Sequence, residues 1–399
     1  MPSLRIICLM IVAGFAVSCA GPAKACPSLS KFANSSLDAS AALIDCIDKT
    51  AAGGRLELPA ATYVVRRQVR ILKPIVVATA GVADSAPGCD KLGAGRCATI
   101  RVDLEGAPNP NIMPIEIAAK GISLLHLIFE GSGDPKLRSD CSQADRRPLG
   151  GGLRVLRSNF VLRKSTLRNF TCYTTIEVLA GSNALIIEDN FVGPNGDHRP
   201  GEIWSDGITI HDSADSVVRR NVFIDNTDVQ LILGGCRRCR VENNEFRHSG
   251  AFPRASFAEL MLQAFPSTSG DYTGTIVRGN RIDCGKGRLC GFGIMIGANP
   301  WKAGENPRYP GAMFGGTITG NVVSNALIGI NIDALTGPVE IHGNQVQASG
   351  GRHRSDCGVR DWPAVNVGPG SIKFVKGDPS NQSEGHVSTS GCILNREPR

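Results

Sequence analysis

Apolar and polar residues alternate in short bursts along the middle of the chain, and the bursts repeat. Asp206-Gly-Ile-Thr-Ile is followed by Val217-Val-Arg-Arg-Asn221-Val-Phe, and Val229-Gln-Leu-Ile-Leu by Cys239-Arg-Val-Glu-Asn-Asn244-Glu-Phe. Ile208 and Leu231 lie 23 residues apart, as do Asn221 and Asn244. Alternation with period two turns one face of each short strand inward. Two such strands and an Asn-bearing turn per 23 residues are the mark of a solenoid.

The Asn recurs before an apolar or polar-apolar pair at Asn190, Asn221, Asn244, Asn280, Asn321 and Asn344, with gaps of 31, 23, 36, 41 and 23. Asn tolerates left-handed backbone geometry and carries both amide donors and an acceptor. Stacked coil on coil, such residues form an internal ladder that satisfies buried turn backbone. The expected fold is all-β, a right-handed parallel β-helix. The minimum coil is then the 23-residue unit, with the excess length placed in loops.

Along the chain, residues 1–25 read as an export signal: Arg5, an apolar run from Ile6 to Val17, and the small-residue cleavage site Ala23-Lys-Ala25. The run is too short for a transmembrane span. A lipobox reading of Ala16-Val-Ser-Cys19 competes, with lipid at Cys19. Either way the protein is expected to be secreted or periplasmic.

Residues 26–65 form an opening module. A helix is expected over 36–50, with Ala39, Leu43, Cys46 and Ile47 on one face and Ser36 or Asp38 as cap. Gly53-Gly54 ends it, before strands at 55–59 and 62–65. The stretch DASAALIDCIDKTAAGGRLELPAATYVV resembles the opening module of pectate-lyase-like β-helix proteins. That resemblance implies an N-terminal capping helix over the first coil. The solenoid is expected over 66–375, with strands that include 71–78 and 122–129, and a tail over 376–399.

A solenoid has no globular size ceiling, so 399 residues fit one elongated domain. Two of the 14 cysteines, Cys8 and Cys19, lie in the export segment; the remaining twelve are even in number and exported, so disulfides are expected. Neighbours in a solenoid's sequence are neighbours in space, which favours sequential pairing: Cys26–Cys46, Cys89–Cys97, Cys141–Cys172, Cys236–Cys239, Cys284–Cys290 and Cys357–Cys392. Cys236 and Cys239 form a CxxC with no thioredoxin-like context and no second pair to complete a zinc site. The formal charge of +7 is dispersed rather than clustered with aromatics, which argues against nucleic acid.

Aligning the first strand of each coil gives an outward column, Arg154, Glu177, Thr209, Ile232, Met261, Met295 and Asn331, and beside it a second one containing His211, Gly234, Gln263 and Asp333. Polar groups concentrate near Glu177 and Asp206, with Asp212, Asp228 and Glu259 close by. Loops 193–204 and 247–257 are placed to wall that region. Trp204, Trp301 and Tyr309 are candidates for stacking on sugars, and His198, His211 and His248 for proton transfer or substrate contact.

Ser205-Asp206-Gly-Ile-Thr-Ile resembles the "NTDGI" strand of polygalacturonase-type glycoside hydrolases, and Asp228, one coil on, falls where that family carries an Asp-Asp pair. Val229 stands in place of one member, and Arg247-His248-Ser249-Gly250 where Gly-His-Gly is found. The resemblance implies Asp206 and Asp228 as the carboxylates of an inverting hydrolysis, one as general acid and one as base; His211 is the candidate catalytic histidine beside them. Trp204, Glu177, Asp212, Glu259, His248 and Arg154 are expected to bind the polysaccharide. A uronate lyase or epimerase is the alternative, with Arg154, Arg219, Arg220 and Arg254 as available cations. A glycan-binding surface protein is a third. No cofactor is called for, and Ca²⁺ belongs only to the lyase alternative.

Overall fold

The computed structural model describes residues 24–104, 112–131, 151–198, 204–252, 256–263, 267–297, 311–355, 357–377 and 383–385. Three long sheets of twelve, eleven and ten strands run through these residues, and every neighbouring pair within them is parallel. Each coil contributes one strand to each sheet, so the chain is a right-handed parallel β-helix. Among the described residues, only the hairpin of Gly351–Ser355 and Gly358–Trp362 is antiparallel.

The strands are short because each needs only one inward side chain. In Ile186–Glu188, Val217–Arg219, Arg240–Glu242 and Ile276–Arg278 the central residue is buried and its flanks face outward. Ile187, Val218, Val241 and Val277 therefore stack along the interior of the twelve-stranded sheet. Opposite them, Phe223 and Phe246 stack at 4.8 Å between ring centroids, nearly parallel at 6°.

From Val161–Arg163 through Val339–His342, a two-residue turn joins each twelve-stranded-sheet strand to its ten-stranded-sheet partner, and here the ladder forms. Asn190, Asn221, Asn244, Asn280 and Asn321 each donate Nδ2 to Oδ1 of the next Asn at 2.8–3.0 Å. The same Nδ2 also reaches a strand carbonyl, as Asn221 does to Ile187 at 2.9 Å. The left-handed residue is not the ladder Asn but the one before it: Asp189, Arg220 and Asn243 have φ of 59°, 54° and 54°, and glycines take the place at 279, 320 and 343. The turn thus separates two requirements that the sequence reading assigned to one residue.

Two expected strands are each divided. Val69–Ile71 and Val76–Thr79 belong to different sheets, with Pro74 at the corner between them, since Pro cannot donate to a ladder. Likewise Ser123–Leu125 and Leu127–Gly131 are separated by His126, which turns the corner at φ 50°.

The N-terminal helix spans Ser40–Lys49, and Leu43, Cys46 and Ile47 join the interior cluster. Asp38 accepts the Ser40 N–H at 2.9 Å and also the Arg66 N–H at 3.2 Å, tying the helix start to the first coil. In the tail, Ser383–Gly385 adds a last strand to the eleven-stranded sheet.

Disulfides join Cys26–Cys46, Cys89–Cys97, Cys236–Cys239 and Cys284–Cys290. Cys172 and Cys357 are also disulfide-bonded; the cysteines expected to meet them, Cys141 and Cys392, lie outside the described residues, as does nearly all of the expected export segment. No described helix is long and apolar enough to cross a membrane.

Candidate functional site

The outer face of the eleven-stranded sheet carries the expected column in register: Arg154 pairs with Glu177, Glu177 with Thr209, Thr209 with Ile232, Ile232 with Met261 and Met261 with Met295. These residues were expected to face solvent. Instead Ile232, Met261 and Met295 are at most 1% exposed, in a second apolar cluster with Phe257, Phe292 and Trp362. Outward on a strand means away from the interior, not toward water, and a row of apolar side chains there demands a cover. The column therefore changes character between Thr209 and Ile232.

On the polar side, Glu177 organises its neighbours. Arg154 Nε donates to Glu177 Oε2 at 2.6 Å, the Tyr173 hydroxyl donates to Oε1 at 2.7 Å, and His211 Nε2 lies 3.5 Å from Oε1. Burial alone would raise the Glu177 carboxyl, but His211, Tyr173 and Arg154 outweigh it and hold the pKa at about 2. The Tyr173 hydroxyl is pushed up, first by burial and then by the Glu177 charge. Tyr173 also sits 6.1 Å from Trp204, ring to ring, tilted by 43°.

Asp206 is the second residue of the next coil's strand, Ser205–Ala214, and Val229 begins the one after, Val229–Arg237. The Val229 N–H donates to Asp206 Oδ1 at 3.1 Å and the Thr209 hydroxyl to Oδ2 at 3.2 Å. Asp228 immediately precedes Val229, and its own N–H bonds the Ser205 carbonyl at 3.2 Å. The two carboxylates thus sit on adjacent coils, Asp206 buried and Asp228 half-buried. Burial first, and the charge of Asp228 second, raise the Asp206 carboxyl well above its ordinary range.

His248 and Glu259 were expected to line the groove; both are interior. His248 Nε2 lies 2.9 Å from Glu259 Oε1 and Nδ1 3.4 Å from Asp225 Oδ1, with the imidazole 2% exposed. Burial opposes its charge, yet Glu259 and Asp225 raise the pKa to about 9. It is an ion-paired lock between coils. Sequence reasoning missed Asp225 and a second interior amide row, in which Asn195 donates to Asn226 at 2.7 Å and Asn226 to Gln230. Their signal was weak, because these residues fall in the corner of variable length.

Asp212 accepts the Ser269 N–H at 3.1 Å and the Ser269 hydroxyl at 2.6 Å, so it anchors a loop. Arg219 and Arg220, expected as cations for a uronate, instead end a strand of the twelve-stranded sheet and begin the turn after it, respectively. There they pair with Glu188, and Arg220 also with Asp189. Arg254, Trp301 and Tyr309 lie outside the described residues. The two wall loops leave the same corner, and His198 of one stacks on Phe252 of the other at 3.9 Å.

Residues 146–260 match the family described as the right handed beta helix region. No curated protein matches the chain. Among solved structures, the polygalacturonase of Erwinia carotovora ssp. carotovora is similar with a TM-score of 0.56 at 12% identity, over 86% of this chain and 94% of that one. The Family 28 exopolygalacturonase of Yersinia enterocolitica gives 0.53 at 12%, over 91% and 69%. A mutant tailspike protein of E. coli bacteriophage HK620, in complex with a pentasaccharide, gives 0.54 at 11%, over 83% and 56%. At these identities the likeness is one of fold.

Proposed function

We propose that the protein is an exported, carbohydrate-active β-helix enzyme that hydrolyses a polysaccharide, with Asp206 as acid and Asp228 as base. One feature supports the reading: two aspartates lie on adjacent coils, where burial and the charge of Asp228 raise the Asp206 carboxyl well above its ordinary range, as suits a general acid. Coils repeat every ~4.8 Å, which suits the ~6.5–9.5 Å separation of an inverting pair. In the reaction, Asp206 gives its proton to the glycosidic oxygen as the bond from that oxygen to the anomeric carbon breaks. Asp228 takes a proton from the water that attacks the same carbon from the opposite face. His211, Tyr173, Trp204 and Arg154 present hydroxyl-binding and stacking groups beside the pair. The disulfides suit an extracellular or periplasmic setting, whether the signal is cleaved after Ala25 or Cys19 is lipidated.

The lyase alternative needs a free base and an uncommitted cation. Tyr173 and Arg154 are both engaged by Glu177, which disfavours it. Binding without catalysis is favoured by a different observation: both Asp206 oxygens already accept hydrogen bonds and the residue is only 5% exposed. The test is incubation of the protein with a panel of polysaccharides, following reducing ends and the absorbance of unsaturated products. Reducing ends without that absorbance support hydrolysis; absorbance moves the protein to the lyases; binding with neither leaves a glycan-binding protein.

A further inference from the structure

We infer that the site cuts at the end of a polysaccharide chain rather than within it, an inference that rests on the hydrolytic reading. The groove's direction comes from its sides. At one corner of the eleven-stranded sheet His198 stacks on Phe252, and at the other stands the segment held by Asp212 through Ser269. A glycan between these sides must run along the helix axis, meeting successive coils in turn.

The two directions along that axis differ. Toward the N-terminal coils the outer column stays polar: beyond Glu177 and Arg154 it continues through Glu116 and Arg70, which are ion-paired at 2.7 Å. Toward the C-terminal coils it becomes Ile232, Met261 and Met295, buried with Trp362. The neighbouring column is closed as well. The Thr268 hydroxyl sits on the Gly234 carbonyl at 3.0 Å, and Gln263 Nε2 reaches the Ala312 carbonyl at 2.7 Å. At Gly234 an added Cβ would meet Thr268 side-chain atoms at 2.6 and 2.8 Å, so this cover lies directly on the strand.

A sugar driven past Asp228 would lose water from its hydroxyls with no partners in exchange, and would first have to displace packed side chains. Among the described residues, room for a long product therefore exists on one side of the carboxylate pair only. The polymer lies over the N-terminal coils, and a short terminal piece is released at each cut.

The experiment follows product size and viscosity together, using the intact mature protein and soluble polygalacturonate, alginate, xylan and dextran. The expected result is mono- or disaccharide from the earliest cleavage, with little loss of viscosity as reducing ends accumulate. An early collapse of viscosity with a ladder of intermediate oligosaccharides overturns chain-end action while leaving hydrolysis standing. Unsaturated products, or no cleavage of any substrate, bring down the hydrolytic reading and this inference with it.

Discussion

Asn221 donates both its backbone N–H and its side-chain amide to one atom, Oδ1 of Asn244 on the next coil, at 3.0 Å each. Asn244 passes the pattern on, donating to Asn280 Oδ1 at 3.0 and 2.9 Å and to the Val218 carbonyl at 3.0 Å. Asn244→Ala removes an acceptor that serves two buried donors and leaves the Val218 carbonyl without this partner. Because unsatisfied buried polar groups are costly, the change is expected to destabilise the protein by roughly 2–4 kcal/mol. Denaturant unfolding followed by circular dichroism measures it, and a loss below ~0.5 kcal/mol would mean the ladder is ornamental.

Asp206→Asn preserves size and keeps one acceptor for the Val229 N–H, while its amide meets the Thr209 hydroxyl as a donor and the titrating proton is removed. Turnover on the cleaved polysaccharide is expected to fall on the order of 10²-fold or more, and Asp228→Asn to do the same. Stability should move the other way. A carboxyl whose pKa is raised on folding resists ionisation, so its charge opposes the fold once pH exceeds its ordinary range. The Asp206→Asn protein should therefore melt at the same temperature or higher at neutral pH. Full activity in either variant rules out the paired-carboxylate reading.

The His248 lock should be visible in alkali. Its pKa rises from 6.5 to about 9 on folding, so its stabilisation is complete below about 6.5 and is lost as pH climbs through about 9. Melting temperature is to be compared between the wild type and His248→Gln across that window. The difference should be large on the acidic side and shrink toward the alkaline end; a constant difference would show that His248 acts by shape and not by charge.

All twelve cysteines beyond residue 25 are expected to be paired. Ten of them are disulfide-bonded in the described residues, including Cys172 and Cys357. Thiol titration of the denatured, unreduced mature protein should find none. Two or more reactive thiols per chain would contradict it.

The coil was legible because its signal is local: Asn221 and Asn244 each follow a short alternating strand, and strict alternation fixes which side chains point inward. The same alternation aligned Arg154, Glu177 and Thr209 correctly. What alternation does not carry is the cover over the outer face. Ile232, Met261 and Met295 announced it by being apolar at outward positions, a conflict that only a second packed layer resolves. His248 was misplaced for a related reason. A lone His beside a variable loop has no periodic neighbour to orient it, and its partners Asp225 and Glu259 come from a different coil and a different sheet. The divided strands at Pro74 and His126 were hidden because these corners are short, Leu72 to Ile75 at one and His126 alone at the other, and interrupt the apolar pattern little.

The spacing of the ladder has a consequence for how this molecule can change. Successive rungs are separated by 31, 23, 36, 41 and 23 residues, yet the side-chain hydrogen bonds between them all measure 2.8–3.0 Å. Inserted chain is thus excluded from the stack and disposed of at the other two corners. The scaffold behaves as a ruler with detachable flags: lengthening or exchanging a wall loop alters what the groove admits without shifting a single rung. Since loop closure grows costlier only slowly with length, such exchanges are thermodynamically cheap. Ligand choice can then drift while the coil beneath it stands still.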